Sequence, residues 1–115
     1  MIERKHISQR MSQLISHNGL VFTAGQVAAD TTQDAAGQTR QVLAAIDTLL
    51  AEAGTDKTRL LKANIWLSDI RYFDQMNSIW DHWVDAEHPP VRACVEARLA
   101  GPEYLVEIQV VAAQS

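Results

Sequence analysis

The longest periodic stretch of the chain runs from Asp34 to Gly54. Val42, Leu43, Ile46, Leu49, Leu50 and Ala53 recur at spacings of one, three and four, the apolar stripe of a helix packed on one side. Gln38, Arg40, Gln41, Asp47 and Glu52 are expected to fall largely off that stripe. Asp34 suits the N-cap, where a short carboxylate accepts from a free first-turn N–H, and Gly54 suits the stop that follows. "RLLKANIWLSD" switches to a period of two and predicts a buried strand, with Ala63, Ile65 and Leu67 facing one way and Asn64, Trp66 and Ser68 the other. A second helix is predicted from near Tyr72, with Asp69 as its cap. Its apolar face collects Phe73, Met76, Trp80, Trp83 and Val84, and Asn77 falls on the same face. An amide in that place either closes a buried hydrogen bond or lines a site.

Shorter alternations flank these segments. His17-Asn18-Gly19 separates two extended runs, roughly Met11 to His17 and Leu20 to Ala24, and Asn-Gly is the dipeptide of a tight hairpin turn. In "HPPVRACVEARLA" the pattern places Val91, Ala93, Val95, Ala97 and Leu99 on the buried face, opposite Arg92, Cys94, Glu96 and Arg98. After Gly101-Pro102, "YLVEIQVVAA" sets Val106, Ile108, Val110 and Ala112 against Glu107, Gln109 and Val111. The link between these last two strands is short, so they are expected to pair antiparallel. The predicted order is β-β-α-β-α-β-β, a single domain over residues 1–115. Its fold class is α+β, a mixed sheet with two helices packed on one face.

Composition narrows the functional classes. A chain of 115 residues with 47% hydrophobic and 21% charged residues can build one ordinary core. A formal net charge of −4 supplies no basic footprint for a phosphate backbone, which argues against nucleic acid as the partner. The single cysteine suits a reducing compartment, the opening "MIERKHISQR" has no apolar signal core, and no run reaches membrane-span length, so a cytoplasmic location is expected. His6, His17, His82 and His88 are scattered, without metal-ligand spacing or a glycine-rich phosphate loop nearby, and no metal or cofactor is expected.

Arg92 and Glu107 are the charged residues of interest within the last two predicted strands. Arg92 is either a solvated surface arginine or a fork that holds an anion against a partner surface, since its planar guanidinium matches a carboxylate bidentately. Glu107 either pairs with Arg92 or Arg98 across strands, or orients and deprotonates a water. Cys94 reads as a packing residue more readily than as a nucleophile, because no Cys/His arrangement accompanies it. The three tryptophans read as core or interface filling, and His17 as a turn-flanking surface residue.

Taken together, "GLVFTAGQVAAD", the stretch from "QTRQVLAAIDTLLAEAG" through "NSIWDHWV", "PPVRACVEARL" and "VEIQVVAA" resemble the Rid/YjgF family of reactive-intermediate (enamine/imine) deaminases over almost the whole chain. The most specific part is the P-x-R-[AS]-x-V block followed by V-E-I. The resemblance implies a chorismate-mutase-like fold, a homotrimer with sites in the clefts between subunits, and hydrolysis of 2-imino acids to 2-keto acids and ammonia without a cofactor. It implies that Arg92 clamps the substrate carboxylate, that backbone groups around Cys94 bind the imine nitrogen and water, that Glu107 positions the water, and that Asn77 lines the pocket. Two positions depart from the pattern. Met11, in "RMSQ", stands where better-known members carry tyrosine, and Ala24, in "TAGQ", where they often carry serine. Both remain substrate-binding candidates in a divergent subgroup with altered preference, with Trp66, Trp80 and Arg10 as further pocket candidates. Two other readings stand beside the deaminase: a non-catalytic trimeric binder of small carboxylates or 2-keto acids, and a ribonuclease or translation inhibitor, against which the acidic balance counts.

Overall fold

Asn18 and Gly19 both adopt positive φ, 50° and 77°, and close a hairpin between Ser12–His17 and Leu20–Thr23. That pair forms β2 and β3 of a computed structural model describing residues 1–115. A further strand, β1 (Glu3–Ile7), pairs antiparallel with β2. The chain then forms α1 (Ala35–Glu52), β4 (Leu60–Leu67), α2 (Phe73–Trp83), β5 (Val91–Glu96) and β6 (Val106–Ala113). All six strands join one sheet in the order β1-β2-β3-β6-β4-β5. No helix is long and apolar enough to cross a membrane.

The α1 boundaries follow from its ends. Asp34 Oδ1 accepts the Gly37 N–H at 2.8 Å, and Gly54 takes φ 76° just beyond the last turn. Val42, Leu43, Ile46 and Leu50 are buried against one face of the sheet, which supplies Leu14, Val21, Ala63, Ile65, Ile108 and Val110. Each such large aliphatic side chain contributes about 1.5–3 kcal/mol relative to exposure. The helix stripe and the strand faces of β4 and β6 therefore match the periodic pattern. Gln38 does not, for it is fully buried. Its amide reaches the carbonyls of Thr31, Gln33 and Glu103 at 3.1–3.3 Å and accepts the Leu105 N–H at 2.9 Å, so a polar side chain ties the segment before β6 to α1.

Three expectations are corrected. The last two strands do not pair: β6 lies between β3 and β4, and β5 runs parallel to β4 at the sheet edge. The α2 crossover returns the chain to the starting end of β4, which enforces the parallel direction. The following link then passes the end of β4, held where Ala97 N–H donates to Leu67 O at 2.8 Å and Ser68 N–H to Leu105 O at 3.0 Å. The faces of β5 are also opposite to those expected. Val91 and Val95 are 71% and 50% exposed, whereas Cys94 packs on the core and Arg92 pairs with buried Ala63. Being an outer strand, β5 carries small apolar residues on its bare side, so its alternation gives no sense of direction. Finally, β1 adds a strand beyond the predicted order. It is exposed throughout, and Lys5 Nζ and His6 Nε2 fasten it to Glu52 at 2.9 and 2.6 Å.

Helix α2 begins one residue after Tyr72, and Asp69 caps the 3-10 turn Ile70–Tyr72 that leads into it by accepting the Arg71 N–H at 2.9 Å. Met76 and Trp80 turn inward, so α2 lies beside α1 on the same face of the sheet. The opposite face is bare of helices. It carries Phe22, Trp66, Val95 and Val111 among Asn64, Glu107 and Gln109.

Candidate functional site

Arg92 lies on the helix side of the edge strand, where α2 passes it. Arg92 Nη1 donates to Asn77 Oδ1 at 2.7 Å. The guanidinium carbon sits 5.3 Å from the Trp80 ring centroid and 5.9 Å from that of Phe73. Phe73, Asn77 and Trp80 stand four and three positions apart on successive turns of α2, so one helical stripe makes all three contacts. Arg92 remains exposed, and no carboxylate lies within salt-bridge distance of it. Part of its fork is therefore open to an outside acceptor. The cross-strand ion pair with Arg92 or Arg98, one of the two readings of Glu107, does not form within the chain.

Cys94 follows two residues later on the same face and packs against the core. Burial pushes its thiol above the ordinary value of 9.0, with the Arg92 charge opposing that shift. A thiol held in its neutral form is a poor nucleophile, which agrees with its reading as a position beside the site. Because β5 is the outer strand, one edge of its backbone carries N–H and C=O groups with no strand partner in the chain.

Glu107 occupies a second corner. It sits between buried Val106 and Ile108, pairs with Trp66 of β4, and projects to the bare face. Gly25 lies under it: a Cβ at that glycine would collide with Glu107 Oε2 and stand only 2.9 Å from the carboxyl carbon. The segment is pinned by exchanged backbone bonds between Gln26 and Ile108, 2.8 and 3.2 Å. Ala24 N–H donates to Gln13 O at 2.9 Å, and Gln26 Nε2 to Gln13 Oε1 at 2.8 Å and Ala24 O at 3.1 Å. Met11 opens β2 from an exposed turn in which its carbonyl accepts the Ser8 N–H at 2.8 Å, with Arg10 inside the same turn.

The structure thus brings Arg92, Asn77 and Cys94 together, and groups Glu107 with Ala24, leaving Met11 in the turn before β2. Phe73, beside Arg92, and Gly25, beside Glu107, join the candidate residues without having been singled out in the sequence. The four-three spacing of Phe73, Asn77 and Trp80 was the available signal for one. A glycine two residues after a strand offered none for the other. The largest concavity, about 740 Å³, lies past the end of β5 and is lined by Ser68, Glu96, Arg98 and Pro102 among others. It includes neither Arg92 nor Glu107, and Glu96 is already engaged by the Ile70 N–H at 2.8 Å.

The helix-backed mixed sheet, with a guanidinium at its edge and a carboxylate on its bare face, is an α+β domain. Known proteins narrow that class. The family model described as Endoribonuclease L-PSP matches residues 2–114. A RutC family protein from Haemophilus ducreyi is 44% identical over 113 residues, covering 98% of this chain and 97% of that protein. RutC family protein YoaB from Escherichia coli is 42% identical over 112 residues, covering 97% of each. The crystal structure of a YjgF family member from Neisseria meningitidis matches with a TM-score of 0.97 at 45% identity, covering 100% of this chain and 96% of that one. The chain belongs to the YjgF/Rid family.

Proposed function

We propose that the protein hydrolyses reactive 2-imino acids and their enamine tautomers to 2-keto acids and ammonia in the cytoplasm. The reaction takes place in clefts between subunits of a homotrimer. The observation that carries this reading is the Arg92 guanidinium, braced by Asn77 and the α2 aromatic rings with part of its fork free. Such a fork accepts a carboxylate through parallel charge-assisted hydrogen bonds. A carboxylate fixed there holds the adjacent C2 at a set distance from the edge of β5, converting a collision into an oriented attack.

The second half of the chemistry falls to Glu107 of a neighbouring copy. Its water adds to C2 as the carboxylate accepts one proton and passes it to the imine nitrogen, giving a carbinolamine. Glu107 then takes the hydroxyl proton as the C2–N bond breaks, and delivers it to nitrogen, which leaves as ammonia. Assembly is supported by the position of these groups on opposite faces, by the unpaired edge of β5, and by the apolar side chains on the helix-free face. Three copies is the number that the family resemblance implies. Ala24, next to the Gly25 that lies under Glu107, and Met11, in the turn before β2, supply no hydroxyl where better-known members carry serine and tyrosine, which fits an altered substrate preference.

The test generates 2-iminobutyrate or 2-iminopropionate in situ and follows its capture by semicarbazide. Wild-type protein suppresses the semicarbazone and Arg92→Ala does not. Equal behaviour of the two across several imino acids contradicts the reading. Binding of 2-keto acids without turnover favours a carboxylate-binding module instead.

A further inference from the structure

We propose that Trp80 is a positioning residue that, with Phe73, holds the Arg92 guanidinium in a fixed orientation before any ligand arrives. This rests on the reading of Arg92 as the carboxylate anchor and deepens it. An arginine on an exposed edge strand ordinarily samples many rotamers, and fixing it on binding costs affinity. Here the Asn77 hydrogen bond alone leaves rotation about the remaining torsions free. The Trp80 and Phe73 rings, 5.3 and 5.9 Å from the guanidinium carbon, remove that freedom by attracting the cation to the ring quadrupoles. Trp80 is itself packed in place: it is 5% exposed and lies beside Trp83, with ring centroids 5.4 Å apart. Trp83 is in turn held by its Nε1–H bond to Asp47 Oδ2 at 3.0 Å on α1. The orientation of the anion fork is therefore anchored through α2 to α1, and not merely to its own strand. Phe73 is 38% exposed and closes the outer side.

Rigid docking of this kind favours anions that offer two oxygens in the plane of the fork, as a carboxylate does.

The experiment uses the full chain in its native assembly, with two readouts. Arginine side-chain ¹⁵N NMR measures rotation of the Arg92 guanidinium in ligand-free protein, and calorimetry measures 2-oxobutanoate binding. Trp80→Leu is expected to speed that rotation and weaken binding by about five- to thirty-fold, with Trp80→Phe in between. Phe73→Leu, at an exposed position, tests the same effect where folding is not at stake. In an Arg92→Lys background, Trp80→Leu should cause no comparable further loss. An Arg92 that rotates equally in wild type, Trp80→Leu and Phe73→Leu overturns the proposal. So does a Trp80→Leu binding loss that is unchanged in the Arg92→Lys background. A restrained guanidinium in a protein that turns over no imine upholds the positioning role and removes the deaminase reading. A mobile guanidinium in an active enzyme does the reverse.

Discussion

Arg92 and Glu107 stand on opposite faces of one sheet. Arg92 pairs with Ala63 on the side covered by the helices, whereas Glu107 pairs with Trp66 on the bare side. Strands β4 and β6 are adjacent, and β5 borders β4. The two residues are thus near neighbours in strand order, and the pleat still sends them apart. One chain cannot converge them on one substrate, whereas two copies meeting edge to face can.

The Glu107 corner depends on an empty space. Gly25 leaves room that a methyl group would fill, and its φ is not in the left-handed region, so alanine is acceptable to the backbone. Gly25→Ala should displace the carboxylate while leaving the fold intact. The expected result is a fall in kcat of about 10²-fold with KM little changed, because the anchor at Arg92 is untouched. Steady-state kinetics alongside a thermal melt checks both halves.

Cys94 is expected to be dispensable for hydrolysis, so Cys94→Ser should retain activity of the wild-type order. Burial raises its folded-state titration above 9.0. The neutral thiol is the form the fold favours, and its contribution to stability is present below 9.0 and lost as the pH rises through the raised value. Alkylation should consequently be slow at neutral pH, rise steadily with pH and level off only above 9.0. Removing the opposing charge with Arg92→Ala should move that profile further upward, as a rate-against-pH series would show.

Asp69 anchors the turn that leads into α2, and its hydrogen bonds from Arg71 lower its carboxyl from 3.8 to about 2. A depressed carboxyl contributes stability that is present above 3.8 and lost as the pH falls towards about 2. Asp69→Asn should therefore melt below wild type at neutral pH, and the gap between the two should close across that acidic window. A constant gap down to the acid limit would show that the ionised form is not what the turn uses.

Much of the fold was legible because burial writes itself into spacing. The α1 stripe, the alternation of β4 and β6, and the Asn18-Gly19 turn each express one local rule, and each is found where the pattern placed it. Where burial is weak the pattern carried less. Strand β1 is exposed on both sides and β5 on most of its length, so neither the existence of the first nor the facing of the second could be read. The insertion of β6 between β3 and β4 is a long-range choice that no window of sequence contains. Gln38 escaped for a different reason: a polar side chain is buried only when distant carbonyls meet it, and Glu103 is 65 positions away.

The candidate site was legible by residue type more than by geometry. Arg92, Asn77 and Glu107 stand out as polar groups in apolar settings, and two of them do meet. The separation of Glu107 from Arg92 was hidden, because it depends on which face of an edge strand is covered.

Subunit mixing tests the central claim most directly: the carboxylate anchor and the water-handling acid of one site come from two copies. Arg92→Ala and Glu107→Gln proteins are each expected to be inactive towards 2-iminobutyrate. Refolded together in equal amounts, they should recover about a quarter of wild-type activity, since one interface in four then joins an intact Arg92 to an intact Glu107. A mixture no more active than the two separate variants, in oligomers shown to contain both, would contradict a site shared between subunits.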